Sequence, residues 1–210
     1  MFTGIVQALV PVASLTLDAN VMRLGLPLGA LCDQLENGAS VAVNGTCLTV
    51  TATSNGTAFF DVIEETRRLT NLGDLQAGDL VNVERSFRAG DEIGGHLVSG
   101  HVACTAEVTA IEEREGVRNL TFRAPDPVMK FLVHKGFAAL DGASLTLAFV
   151  NHAEASFGVC LIPETIERTT LGRVVPGSRV NLEPDSQTQT IVQTLERMLD
   201  SPELLARLSR

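Results

Sequence analysis

The sequence predicts an all-β protein made of two tandem copies of one unit, each a small closed barrel or sandwich. Three observations predict it. Blocks of sequence recur in the same order about 97 residues apart. Short β-branched segments alternate with Gly and Asn turns. Only the C-terminal tail carries a helical period.

The repeat decides the architecture. Asn44-Gly-Thr-Cys-Leu-Thr-Val50 matches Asp141-Gly-Ala-Ser-Leu-Thr-Leu147, and Glu65-Thr66 through Gly73 matches Glu164-Thr165 through Gly172. Gly78 to Glu84 then matches Gly177 to Glu183, and Thr3-Gly4-Ile5-Val6 matches Ser99-Gly100-His101-Val102. A period this long is a whole domain rather than a solenoid turn, so the chain reads as a tandem duplication. The division expected is a first unit over 1–90, a connector over 91–98, a second unit over 99–186 and a helix over 187–210. The connector begins the stretch Asp91-Glu-Ile-Gly-Gly-His96-Leu-Val-Ser-Gly-His101-Val102, which holds two of the four histidines.

Within the first unit, Ser40 to Val43 runs as a strand into the turn signal Asn44-Gly45, and Leu48 to Thr53 resumes it. Ser54-Asn55-Gly56 turns the chain into a strand over Thr57 to Val62, and Val81 to Glu84 alternates as a half-buried strand does. In the second unit Val102 to Ile111, Val117 to Arg123, Ala143 to Val150 and Ala155 to Ile162 read the same way. Short helices are expected at Leu28–Leu35 and Pro127–Leu132. In the tail, Ser186-Gln-Thr-Gln189 has the form of a capping box. Ile191, Val192, Leu195, Met198 and Leu199 then share one helix face, and Ser201-Pro202 is expected to open a further short turn. That apolar face either packs on its own barrel or joins subunits.

Composition excludes several classes. A chain of 210 residues with a formal charge of −9 and no basic run offers nothing to a nucleic acid. No apolar run reaches the roughly 20 residues of a membrane span, and the start lacks the pattern of a signal peptide. Cys32, Cys47, Cys104 and Cys160 form no CxxC, so they read as reduced thiols of a cytoplasmic protein without a metal site.

The retained blocks carry small polar groups. Cys47 and Thr49 share one strand face and Ser144 and Thr146 another, with Leu48 and Leu145 turned toward the core. The copies differ where protons are handled. His101 stands for Ile5, Lys135 for Gly38 and Ser144 for Cys47. Two similar pockets with different proton-handling groups suit two similar ligands in different roles, one donor and one acceptor.

At this point the residues resemble a known family. Met1-Phe-Thr-Gly-Ile-Val-Gln7, Asn44 to Val50, Glu65-Thr66, Asn71 to Leu75, Val81 to Arg85, Asp91 to His96, Ser99-Gly-His101, Lys135-Gly-Phe137, Asp141 to Thr146 and Ile162 to Thr165 are similar to the riboflavin synthases of the alpha-chain type. The likeness runs from residue 1 to about 199. It implies two six-stranded antiparallel β-barrels with short helices and a C-terminal helix that assembles a homotrimer. It also implies a transferase activity: dismutation of two 6,7-dimethyl-8-ribityllumazine molecules to riboflavin and 5-amino-6-ribitylaminouracil, with no cofactor and no metal. Association with a lumazine synthase is a further possible partner, and active sites are implied between barrels of neighbouring subunits.

By the same resemblance Gly4, Ile5, Val6, Cys47, Leu48, Thr49 and the run Asp61, Val62, Ile63, Glu64, Glu65 and Thr66 line one lumazine site. Gly100, His101, Val102, Lys135, Ser144, Leu145, Thr146 and the run Cys160, Leu161, Ile162, Pro163, Glu164 and Thr165 line the other. Catalysis is expected to centre on His101, Cys47 and Ser144, with Thr146, Lys135 and Asp185 in support. His96 is expected to hold the connector, and His134 and His152 to be surface residues. With no Trp or Tyr in the chain, the aromatic contact expected is Phe2 or the second lumazine itself. The rival reading is a non-catalytic lumazine- or flavin-binding protein of the antenna type, which is expected to lose the glycine-histidine motif kept here.

Overall fold

A computed structural model describes residues 1–201. The first unit contains β1 (Ala8–Pro11), β2 (Ser14–Asp18), β3 (Val21–Pro27), β4 (Ser40–Val43), β5 (Thr46–Ser54), β6 (Thr57–Ile63), helix α1 (Glu64–Leu69) and β7 (Leu80–Arg85). The second contains β8 (Cys104–Arg114), β9 (Val117–Arg123), α2 (Asp126–Met129), β10 (Phe137–Leu140), β11 (Ala143–Asn151), β12 (Ser156–Leu161), α3 (Pro163–Arg168) and β13 (Arg179–Pro184). Helix α4 (Ser186–Leu199) follows. Short 3-10 turns at Gly29–Cys32, Asn71–Asp74, His152–Glu154 and Thr170–Gly172 complete the connections.

The second unit is a closed barrel of six antiparallel strands in the order β10-β11-β12-β9-β8-β13. The first unit follows the same circuit, β1-β7-β4-β5-β6-β3-β2, but counts seven strands. Its two outer strands are separated by only Val12 and Ala13, so the sheet curls round until its ends nearly meet. The expected six-stranded barrel differs here for a local reason. Val12 and Val108 make the same pair of backbone bonds: their N–H groups donate to Asp79 and Ser178, and their carbonyls accept from Gly78 and Gly177. In the second unit the strand passes this corner with a bulge between Val108 and Ala110. In the first, Pro11 ends the ladder just before it, because proline has no N–H to give.

Each barrel fills with its own apolar side chains. Leu24, Leu26, Phe60, Val62 and Val81 close the first, and Leu120, Phe122, Phe157, Leu161 and Leu182 the second, with Phe122 and Phe157 stacked at 5.2 Å. Between the barrels lies a small third cluster of Phe2, Ala42, Val98 and Ala139. Phe2 and Val98 pair there as an antiparallel bridge.

A buried polar network surrounds this cluster. The turns Asn44–Gly45 and Asp141–Gly142 press back to back: a Cβ on Gly45 would sit 2.6 Å from the Gly142 nitrogen. Asn181 donates to the Asn44 carbonyl and Asn82 to the Asp141 carbonyl, each at 2.8 Å, so each barrel's last strand bonds to the other barrel's turn. Asp141 accepts from the Asn181 N–H, from Asn71 and from Thr170. Burial without a cation pushes its carboxyl up to about 6, against the pull of those three bonds.

Helix α4 begins one residue earlier than the sequence pattern suggests. Asp185, not Ser186, is the cap, accepting from the Gln187 and Thr188 N–H groups. The helix does not sink into its own barrel: none of its residues is buried, and Ile191, Leu195 and Leu199 are 60%, 52% and 64% exposed. Lys130 ties it to the second barrel through Glu196 at 2.7 Å. The turn expected at Ser201-Pro202 lies outside the described residues.

Candidate active site

Two chemically similar corners form where the barrels meet. In the first, the Asn44–Gly45 turn feeds β5 so that Cys47 stands half-buried, Leu48 enters the core and Thr49 faces outward. In the second, the Asp141–Gly142 turn feeds β11, with Ser144 and Leu145 half-buried and Thr146 exposed. What covers each corner comes from the opposite unit. The Gly4 carbonyl accepts the Ser144 N–H, and the Gly100 carbonyl accepts the Cys47 N–H, both at 2.8 Å. Gly4 and Gly100 have φ of +76° and +84°. A Cβ on either would lie 2.5 Å from the Cβ of the residue it covers, so only glycine fits. Val6 packs on the second barrel's core. The sequence grouping of Gly4, Ile5 and Val6 with Cys47, and of Gly100 and His101 with Ser144, is therefore exchanged in the chain.

The connector adds to the Ser144 corner. Gly95 approaches so closely that a Cβ there would meet the Thr3 carbonyl and the Ser144 side chain. The next residue, His96, holds the Ser144 hydroxyl at 2.6 Å through Nδ1 and stacks on Phe137 at 5.4 Å and 16°. Burial holds the His96 imidazole below its ordinary value, although the Asp185 and Glu183 charges favour its protonation. At Asp185 burial works against the charge. Hydrogen bonds from Thr188 and Gln187, with the nearby His96, outweigh it and keep the carboxyl below the usual range. A serine bonded to a neutral imidazole, with a carboxylate within electrostatic reach, is a group that can shed its proton to a neighbour. At the Cys47 corner His101 is exposed and directly follows Gly100, whose carbonyl accepts the Cys47 N–H. The His101 N–H bonds to the Ser99 hydroxyl at 3.1 Å.

A family model, the lumazine binding domain, matches residues 3–86 and again 99–185. A riboflavin synthase of Escherichia coli (strain K12) is 49% identical over 205 residues, covering 97% of this chain and 95% of that protein. One of Chlamydia pneumoniae is 45% identical over 202 residues, with 96% and 98% covered. One of Bacillus subtilis (strain 168) is 38% identical over 185 residues, with 88% and 85% covered. The chain belongs to the riboflavin synthase family. It is an enzyme, and the activity that goes with this membership is riboflavin synthesis. Among solved structures, LumP complexed with riboflavin shares the fold at a TM-score of 0.80 and 24% identity, covering 88% of this chain and 99% of that one. The same protein with 6,7-dimethyl-8-(1'-D-ribityl) lumazine gives 0.78 and 23% over the same shares.

The remaining residues expected at the sites fall into two symmetric strand-to-helix corners. Asp61 is exposed and paired with Arg23, Val62 is in the core, and Ile63 is 57% exposed at the start of α1. Glu64 and Glu65 open that helix, Glu65 pairing with Arg68, and the Thr66 carbonyl accepts from Thr70. In the second unit Cys160 is exposed, Leu161 buried and Ile162 61% exposed, with Pro163 and Glu164 opening α3 and Glu164 paired with Arg168. The Thr165 carbonyl accepts from Thr169, repeating the first copy. Val102 is half-buried. Lys135 is exposed, with φ +65°, and its N–H bonds to Leu147 just as that of Gly38, φ +88°, bonds to Val50. A lysine kept in the left-handed region, where its counterpart is glycine, is strain of the kind found at functional sites.

Three assignments change. His96 does more than hold the connector, since its ring bonds to Ser144. Phe2 is fully buried between the barrels and offers no ring to a ligand, whereas Phe137, beside His96, is 45% exposed. Glu84 and Glu183, visible in the repeat but given no role, bond to the backbone of the covering segments. His134 and His152 are exposed, as expected.

Proposed function

We propose that this enzyme dismutates two molecules of 6,7-dimethyl-8-ribityllumazine, moving a four-carbon unit from one to the other to release riboflavin and 5-amino-6-ribitylaminouracil. The observation that carries this reading beyond family membership is the asymmetry of the two corners: at one the Ser144 hydroxyl bonds to the His96 ring, and at the other Cys47 is covered by Gly100, the residue before His101. One lumazine must lose a proton from its C7 methyl group and the other must take a nucleophile at its own C7. A neutral His96 suits the taking of a proton, and the Ser144 hydroxyl at 2.6 Å suits either a nucleophile or a proton relay. His101 and Cys47 would serve the second lumazine. Holding two large rings face to face removes much of the entropic barrier.

The exposed Ile63 and Ile162 at matching corners suit flat rings, and the carboxylates and hydroxyls near them suit the ribityl chains. Solved LumP complexes carry riboflavin and the ribityl lumazine on the same fold, which supports ligands of this class. The bare apolar stripe of α4 supports a homotrimer with sites completed between barrels of neighbouring subunits. The functional division is proposed as 1–90, 91–98, 99–186 and 187–210, in a cytoplasmic protein. Association with lumazine synthase is a further proposal that rests on the resemblance alone.

Incubating the protein with the lumazine and following riboflavin absorbance tests the reading. Tight fluorescent binding without conversion would sink it and favour the antenna-type alternative. His101→Ala should depress turnover far more than lumazine affinity; equal losses would make His101 a binding residue.

A further inference from the structure

Each unit carries one buried glutamate that the chemistry above leaves without a part. Glu84 on β7 is 4% exposed and Glu183 on β13 is 5% exposed. Neither faces a lysine or arginine partner among the described ion pairs. Their carboxylates are instead filled by the covering segments. Glu84 accepts from the Thr3 N–H at 2.6 Å, the Thr3 hydroxyl at 2.7 Å and the Gly4 N–H at 3.1 Å. Glu183 accepts from the Ser99 N–H at 2.7 Å, the Ser99 hydroxyl at 2.8 Å and the Gly100 N–H at 3.0 Å. The same three-point grip occurs twice, and each grip ends on a glycine whose carbonyl reaches into the other barrel.

We propose that Glu84 and Glu183 are crossed positioning residues: each is rooted in one barrel and sets the geometry of the reactive group of the other. Glu84 acts on Ser144 through Thr3 and Gly4. Glu183 acts on Cys47 through Gly100; within its own unit it also holds the Ser99 hydroxyl that receives the His101 backbone N–H. The contacts are too tight for slack. With a Cβ site on each glycine 2.5 Å from the side chain it covers, a displaced segment moves its neighbour. A carboxylate is the group the grip requires, because all three incoming groups are donors and ionised acceptors make the stronger bonds. Glutamine would turn an NH2 toward one of those donors and leave it buried without an acceptor.

The test compares Glu84→Gln and Glu183→Gln in the full-length protein at its native oligomeric state. The first readout is alkylation of Cys47 by iodoacetamide, resolved by peptide mass spectrometry and normalised to exposed Cys160. Glu183→Gln should change the Cys47 rate by about fivefold or more, while Glu84→Gln leaves it within about twofold, because thiol reactivity follows its local surroundings. The second readout is turnover. Both variants should lose kcat by about ten- to a hundredfold with KM little changed, the scale expected of a small misplacement. The kinetic arm rests on the riboflavin synthase reading; the alkylation arm does not, so failure of either is recognisable.

The proposal is overturned if both variants change Cys47 alkylation alike, if Glu84→Gln alone changes it, or if neither does. Should the glutamine variants fail to fold, Ser99→Ala and Thr3→Val remove one donor each and decide the matter. Ser99→Ala must then alter Cys47 alkylation and Thr3→Val must not; any other pattern refutes the crossing.

Discussion

Lys135 is exposed, and its side chain makes no hydrogen bond or ion pair among the described residues. Its backbone sits where the first copy has Gly38, in a conformation that costs most side chains about 1–3 kcal/mol. Lys135→Gly should therefore leave thermal stability unchanged or higher while lowering turnover, a split that melting curves and the lumazine assay would read. A joint loss of both would make the lysine structural. His96 makes the complementary prediction. Because burial favours its neutral form, the acid limb of the kcat profile should lie below the ordinary histidine value of 6.5. His96→Gln should abolish that limb and lower kcat by about a hundredfold or more. The exchange of Gly38 for Lys135 was legible by aligning the copies. The importance of His96 was not, since it precedes the matched block at Ser99 and has no partner in the first copy.

Among the elements, the strands after the Asn44–Gly45 and Asp141–Gly142 turns were readable almost to the residue, because turn chemistry and β-branched runs agree there. The strands β1 to β3 were not read, since the Pro11 corner leaves short pieces without a clear alternation. Helix α4 was legible as a helix with an apolar face, and its cap was misplaced by one residue because Ser186 and Asp185 are both good caps. Replacing Asp185 with Ala should cost about 1 kcal/mol through the lost cap. It should also remove a charge that raises the His96 value, so its turnover loss should exceed that of Thr188→Ala, which leaves the charge in place. The exposed stripe makes a separate prediction. Leu195→Glu should shift the sedimentation of the protein toward a smaller species and reduce turnover with it; an unchanged oligomer would remove α4 from the interface.

At the scale of the molecule, the duplication was legible but the crossing was not. Repeat alignment says which segments are equivalent, and leaves open which copy's segment lies on which barrel. The network at the centre has one charged member without a twin, Asp141 opposite Asn44. Its folded value of about 6 exceeds the ordinary 3.8, so the folded protein holds this proton more tightly than the unfolded chain. Stability from Asp141 is thus present in full below about 3.8 and is lost as pH rises through about 6. Asp141→Asn keeps the carbonyl that accepts from Asn181 and Asn71, and removes the titration. Its melting temperature should gain on the parent between about pH 4 and pH 6 and hold that gain above; a constant difference across the window would show that folding does not raise the Asp141 carboxyl.

The burial of Phe2 also orders events in time. Its ring rests against Ala42, Val98 and Ala139, and Gly4 accepts its bond from Ser144. On a ribosome these early residues are made long before two of the groups that receive them, Ala139 and Ser144, which are encoded in the second half of the message. The first barrel can close its ladder and grip Thr3 and Gly4 through Glu84 early, but the other side of that segment stays uncovered until β10 and β11 have left the exit tunnel. Translation therefore completes the Ser144 corner only late, well after its covering segment has been made.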